Sequence, residues 1–173
     1  MNVNHPLCIG IDVLIAYDQL EAHQYANDLC QRVTQRLGPA CEMNLTAWNF
    51  RLLEIPQLMC SVARTAARAA MIIIAADGNN DLPSGIKTWI GMIVGAREAA
   101  VGMIVAQLHG IMREQKETAP AYLYLKQMAD AAGFDFLAHV VEPIETATPD
   151  WCADIHERTH KRTSVLDGIL LRV

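Results

Sequence analysis

Five short apolar runs constrain the fold of this chain more than any other feature. The most apolar is MIIIAA at residues 71–76, and GIDVLIAY at 10–17 is nearly as apolar. Strands of this kind are buried on both faces, which occurs almost only in parallel sheets whose crossover helices cover each side. Similar runs at 101–108 and 134–141, with a more polar one at 41–48, predict a five-stranded parallel sheet.

Helical patterns separate the predicted strands. Asp18 followed by Glu21 forms a capping box that predicts a helix start, and Gly38 with Pro39 predicts its end. Three further helices are expected over about 53–70, 86–94 and 120–132. Alternating strands and helices predict an α/β fold, a three-layer doubly wound sandwich with strand order 2-1-3-4-5.

The length of 173 residues fits a single α/β domain over residues 1–173. We expect its core over about residues 8–142 and a C-terminal helical extension over 143–173. The composition, 52% hydrophobic and 19% charged, is that of a globular protein and not of a disordered one.

Charge and cysteine usage indicate a cytoplasmic protein. The net charge is -5 and the basic residues are scattered, which argues against a nucleic-acid partner. The start MNVNHPLCIG lacks an export signal, and five cysteines without a CxxC pair are typical of reduced thiols. Arg97 and Glu98 interrupt the apolar region 89–108, so we expect no membrane span.

Polar residues follow several predicted strands, at the edge where doubly wound folds bind ligands. Asp18 and Asp77 would follow neighbouring strands, and two carboxylates in one cleft could hold a hydrated Mg²⁺. The alternative is that Asp18 caps a helix and that the residues after strand three form only a turn. The ligand-binding candidates at this edge are Tyr17, Asp18, Asp77, Asn79, Asn80, Asp81, His109 and Glu142.

Over residues 10–142 this layout resembles that of bacterial response-regulator receiver domains. Asp77 matches their phosphoacceptor position, Asp18 matches one member of their acidic pair, and Glu142-Pro143 stands where receivers carry Lys-Pro. Three features depart from the family: Tyr17 replaces a carboxylate, AQLHG lacks the usual Ser or Thr, and Glu142 reverses the charge of the lysine. The resemblance therefore implies a pseudo-receiver, a non-catalytic regulatory or protein-interaction module in bacterial signalling that is not phosphorylated in the usual way.

A rival interpretation is a small Mg²⁺-dependent enzyme or a nucleotide- or flavin-binding protein that uses the acidic edge, with His109 as acid or base. Flavodoxins share the predicted topology, but YDQLEAHQ after strand one lacks their Ser, Thr and Gly cluster. Neither GxGxxG nor a Walker loop is present, so no FMN or NAD site is predicted. The one cofactor candidate is Mg²⁺.

Two further motifs lie outside this edge. His156 and His160 belong to an HExxH sequence, the pattern of helical zinc sites, but no third ligand follows. A surface helix is the favoured interpretation there, and a zinc site is not expected. Gly91, Met92 and Gly95 lie opposite the apolar stripe of their helix, which predicts packing against the C-terminal segment or against a second copy in a homodimer.

Overall fold

The structure of the chain, a computed structural model, describes residues 9–38, 41–96 and 102–142. In these ranges strands and helices alternate along the sequence, as the apolar pattern predicts. The strands are β1 Ile9–Tyr17, β2 Cys41–Asn49, β3 Met71–Asp77, β4 Met103–His109 and β5 Asp135–Val140. The α-helices are α1 Leu20–Leu37, α2 Phe50–Leu53, α3 Pro56–Ala66, α4 Ser84–Ala96 and α5 Pro120–Ala132, and a short 3-10 helix spans Arg113–Thr118.

All five strands are parallel, and their order in the sheet is β2-β1-β3-β4-β5. The predicted fold class and strand order are therefore confirmed. The register pairs Tyr17 with Ala75 and Asp77 with His109, so the carboxyl ends of β1, β3 and β4 lie at one edge of the sheet. The polar residues that follow these strands consequently share that edge, which we call the carboxyl edge.

The core has two halves because successive side chains of a strand point to opposite faces of the sheet. Ile73 faces α1, whereas its neighbours Ile72 and Ile74 face the layer that contains α2 to α5. Trp89 of α4 is fully buried in that second layer, as its place in the apolar stripe predicts. Burying one large aliphatic side chain is worth about 1.5–3 kcal/mol, so the central strands account for much of the stability.

Two helix starts differ from the sequence predictions. Gln19, not Asp18, is the N-cap of α1, and it makes no side-chain capping bond; the Asp18 carboxylate instead accepts the Asp77 N–H. The helix predicted over 53–70 is shorter, since α3 begins at Pro56 and ends at Ala66, and the preceding residues form the separate short helix α2, which Asn49 caps. A proline lacks the N–H that a helix interior needs and is favoured in the first turn, which explains why α3 begins at Pro56.

Several predictions concern α4 and the regions next to it. Gly91 and Gly95 are exposed, and a Cβ added at either would meet no atom within 4 Å, while Met92 is half-buried. The packing partner predicted for this face of α4 therefore stays a prediction. Arg97, Glu98, the extension 143–173 and the HExxH histidines His156 and His160 lie outside the described residues. Within the described ranges, no helix combines the length and the apolar character that crossing a bilayer requires.

Candidate functional site

The carboxyl edge is organised around the carboxylate of Asp18, which directly follows β1. Its Oδ2 accepts the backbone N–H of Asp77 at 2.8 Å, and the His109 Nε2 lies 3.0 Å from Oδ1 and 3.1 Å from Oδ2. Both side chains are about four-fifths buried, with 21% of Asp18 and 19% of His109 exposed. Asp18 therefore ties the ends of β1, β3 and β4 together.

The pKa of His109 is raised above its ordinary value by this arrangement. The hydrogen bond with Asp18 is the main cause, and the negative charges of Asp18, Asp77 and Glu21 add to it, while burial acts in the opposite direction. An imidazole whose charged form is hydrogen-bonded to a carboxylate keeps its proton to higher pH. His109 thus supplies positive charge at the place where acidic strand ends converge.

Asp77, at the end of β3, is held by the loop that follows it. Its Oδ1 accepts the Asn79 backbone N–H at 2.9 Å and the Asn79 side-chain amide at 3.2 Å, and its Oδ2 accepts the Asn80 amide at 2.6 Å. Burial alone would raise the pKa of Asp77, but these hydrogen bonds and the nearby His109 together lower it. Both carboxylate oxygens are thus engaged by the protein's own donors.

The loop after β3 also contacts the end of β4. The Asn79 side chain donates to the Gly110 carbonyl at 2.6 Å, and the Gly78 N–H donates to the His109 carbonyl at 2.8 Å. Gly110 has φ +75°, and a Cβ built there would lie 3.0 Å from Asp77 Oδ1. A glycine is therefore required both by the left-handed backbone and by the close approach of Asp77.

The structure brings Asp18, Asp77, Asn79, Asn80 and His109 into one hydrogen-bonded cluster. The remaining three predicted residues lie beside it, each with a different partner. Tyr17 stacks on His23 with 4.7 Å between ring centroids, Asp81 forms an ion pair with Lys87, and Glu142 forms one with Arg113 at 3.2 Å.

A cavity of about 210 Å³ opens beside His109, between the start of α1 and the ends of β4 and β5. Its walls include Glu21, Ala22, Tyr25, His109, Val141 and Glu142. Sequence reasoning missed the α1 residues, although Glu21 and Tyr25 stand one helical turn apart just after β1. Cavities that hold drug-sized ligands measure about 300–1,000 Å³, so this one fits a smaller molecule.

A second pair of polar residues, which sequence reasoning also missed, lies on β4 and β5, two residues before His109 along β4. Gln107 of β4 is paired with His139 of β5 and is 1% exposed, and its Oε1 has no hydrogen-bond partner among residues 9–38, 41–96 and 102–142. Burial lowers the pKa of His139 to about 4, and three nearby cationic side chains contribute. The signal for both was a polar residue inside an otherwise apolar strand.

The site has the ligand types that Mg²⁺ prefers, but its carboxylate oxygens already accept protein hydrogen bonds. A cation placed between Asp18 and Asp77 would compete with His109 and the asparagine amides for the carboxylate oxygens. Within the described part of the chain, no group of three or more His, Cys, Asp or Glu side chains is placed to hold a metal ion.

Comparison with known proteins identifies the fold. A flavodoxin from Streptococcus pneumonia TIGR4 is similar over 95% of this chain and 100% of its own, with TM-score 0.51 and 11% identity. The fold is flavodoxin-like. Smu.1420 from Streptococcus mutans UA159 gives TM-score 0.48 and 11% identity, over 86% of this chain and 96% of its own. No family model matches the sequence, and no curated protein sequence is significantly similar to it.

Proposed function

We propose that this chain is a non-catalytic, receiver-like regulatory or protein-interaction module in bacterial signalling, which does not accept a phosphoryl group in the usual way. The observation that carries the proposal is that the carboxylates of the acidic edge are already hydrogen-bonded within the protein. Asp18 is bound by His109 and the Asp77 N–H, and Asp77 is bound by Asn79 and Asn80.

Phosphoryl transfer to an aspartate requires a carboxylate oxygen that is free to attack, and positive charge from a metal ion or a cationic side chain beside the negatively charged phosphoryl group. The first condition is poorly met at Asp77, because its two oxygens already accept three hydrogen bonds. At the position of the receiver lysine stands Glu142, which is paired with Arg113. Its negative charge would repel a phosphoryl group.

His109 supports the same proposal because it occupies the carboxylate oxygens of Asp18, which a divalent cation would need as ligands. The protonated His109 side chain contacts both oxygens of the Asp18 carboxylate and lies near Asp77. It neutralises part of the local negative charge without any metal. The edge is then held in one arrangement by the protein itself. A partner protein would meet a fixed surface there instead of one that switches with phosphorylation.

The test is exposure of the protein to acetyl phosphate with Mg²⁺, followed by intact-mass spectrometry and two-dimensional NMR. We expect no phosphorylated species and no shift changes at Asp77. A phosphorylated species that disappears in Asp77→Asn would contradict the proposal.

A companion variant tests the role of His109. His109→Ala removes the imidazole from the Asp18 carboxylate and leaves only the Asp77 N–H bound to Oδ2, so we expect it to bind Mg²⁺ more tightly than the unchanged protein in a calorimetric titration. His23→Ala is the matched control, because His23 lies at the same edge and contacts Tyr17 instead of the carboxylates. Equal Mg²⁺ affinity in all three proteins would show that His109 does not exclude a cation.

A second candidate function is binding of a small ligand, which the cavity beside His109 favours. Its volume is below the usual range for nucleotide-sized molecules, so a compact polar ligand fits better than a flavin or a nucleotide. Thermal melting with Mg²⁺, nucleotides, flavins and acetyl phosphate distinguishes the two candidates, since a bound ligand raises the melting temperature by mass action. A rise that is lost in Tyr25→Ala would favour the ligand-binding function.

A further inference from the structure

Strand β2 is exposed in a way that is unusual for a parallel sheet. Residues 44–47 are all exposed, so no layer formed by the described residues covers either face of the strand's centre. In β5, at the opposite edge, every residue is at least half-buried. Parallel strands are normally covered on both faces, which indicates that something packs on β2 in the assembled protein.

The outer side of β2 also lacks the features that keep edge strands apart. Its sequence CEMNLTAWN contains one charged residue, Glu42, and neither lysine nor proline. Leu45 at its centre is 42% exposed. Within the described residues β2 has a neighbour, β1, on one side only. The Cys41 N–H donates to the Gly38 carbonyl, and the outward N–H and C=O groups of residues 42–48 can pair with another strand.

We propose that β2 pairs in antiparallel register with β2 of a second copy of this chain, extending the two sheets into one. Among twofold registers, the one centred on Leu45 pairs all nine residues of the strand. It places Leu45 opposite itself and Met43 opposite Ala47 on the face that α1 covers elsewhere. The other face then pairs Glu42 with Trp48 and Asn44 with Thr46.

This register is the reason why we assign a second copy of the chain as the partner of β2. The single charge of the strand, Glu42, meets Trp48 and not another Glu42, so no like charges oppose each other across the axis. At the central positions, apolar side chains meet on the α1 face (Leu45 with Leu45, Met43 with Ala47), and polar ones meet on the other face (Asn44 with Thr46). A twofold contact requires a surface that is complementary to itself, and β2 has that property.

Sedimentation and light scattering of the full chain test the proposal. We expect a dimer, about twice the 19.1 kDa of one chain, that dissociates on dilution. Leu45→Lys should be a folded monomer with an unchanged circular dichroism spectrum, because Leu45 is a surface residue of the monomer. Leu123→Lys is the matched control: Leu123 is 54% exposed on α5, away from β2, and this variant should remain a dimer.

Cross-linking tests the register. In opposed residues of an antiparallel pair the Cβ atoms lie about 4.5–5.5 Å apart, so Leu45→Cys should cross-link to its own copy with a short bifunctional reagent. Ala47→Cys faces Met43 of the other copy and lies diagonally next to that copy's Cys41, so it is made together with Cys41→Ser. This variant should give no more cross-linking than the Cys41→Ser chain. This experiment concerns the sheet edge and does not depend on the proposed function.

Three outcomes would overturn the inference. The first is a monomer at every concentration, which would mean that another segment of the chain or a different protein covers β2. The second is a dimer that survives Leu45→Lys but is lost in Gly91→Lys, which would place the contact on α4. The third is equal cross-linking of Leu45→Cys and Ala47→Cys, which would exclude the register centred on Leu45.

Discussion

The ion pair between Asp18 and His109 should make the stability of the protein depend on pH in a direction that the structure fixes. The pKa of His109 is raised in the folded state, with the Asp18 hydrogen bond as the main cause. A raised pKa means that the folded state holds the proton more tightly than the unfolded chain does. The stabilisation is therefore fully present below the unfolded pKa of about 6.5 and is lost as the pH rises through the folded pKa.

The perturbation is Asp18→Asn, which removes the charge but keeps an oxygen that accepts the Asp77 N–H. A hydrogen bond to a charged group contributes about 1.5–3 kcal/mol. The two side chains are 21% and 19% exposed, so solvent weakens the pair and the lower end of that range applies. A loss of about 1.5 kcal/mol corresponds to a drop of roughly 3–6 °C in melting temperature for a domain of this size.

The assay is urea unfolding of four proteins: the unchanged chain, Asp18→Asn, His109→Gln and the double variant. We expect a coupling energy of about 1.5 kcal/mol near pH 5.5 that is much smaller near pH 9, where the imidazole is neutral. The double-mutant cycle cancels the contribution of other titrating groups, including His139. A coupling energy that is equal at the two pH values, or absent at both, would refute the reasoning.

Three further predictions concern stability. Because the pKa of His139 is about 4 when folded, lowering the pH from about 6.5 to 4 should cost about 3 kcal/mol, and His139→Gln should remove most of that loss in pH-dependent unfolding. Gly110→Ala should lower the melting temperature more than Gly133→Ala: both glycines have positive φ, but the new Cβ would lie 3.0 Å from Asp77 at Gly110 and has free space at Gly133. Ile73→Ala, at a fully buried position, should lower the free energy of unfolding by about 2–5 kcal/mol.

Much of the fold was predictable because its signal is local. The run at 71–76 is apolar at every position, and only a central parallel strand needs that pattern. The strand order was predicted as the one that doubly wound domains of this length commonly adopt, and the sheet has that order. The helix predicted over 53–70 was too long at both ends, because its start was placed three residues before Pro56 and its small-residue tail gives no signal that α3 ends at Ala66.

The candidate site was predictable in its location but not in its bonding. Strand ends in a parallel sheet share an edge, so the positions of Asp18, Asp77 and His109 could be expected from the apolar runs alone. Asp18 was also a candidate helix cap, because the following residues have the capping pattern. Its actual partners are Asp77 and His109, 59 and 91 residues away, and contacts at that separation leave no trace in local sequence.

The chemistry of the edge follows from its charge balance. When His109 carries a proton, the two carboxylates and one imidazolium leave a single net negative charge, and most of their hydrogen-bonding capacity is used within the cluster. A ligand approaching Asp77 meets the side-chain amides of Asn79 and Asn80, which already donate hydrogen bonds within the protein. A ligand approaching from the α1 side meets His109 at the wall of the cavity. Recognition by small molecules at this edge should therefore occur on the α1 side. Loss of the His109 proton would make the same wall more negative, so any anion bound there should bind more weakly as the pH rises.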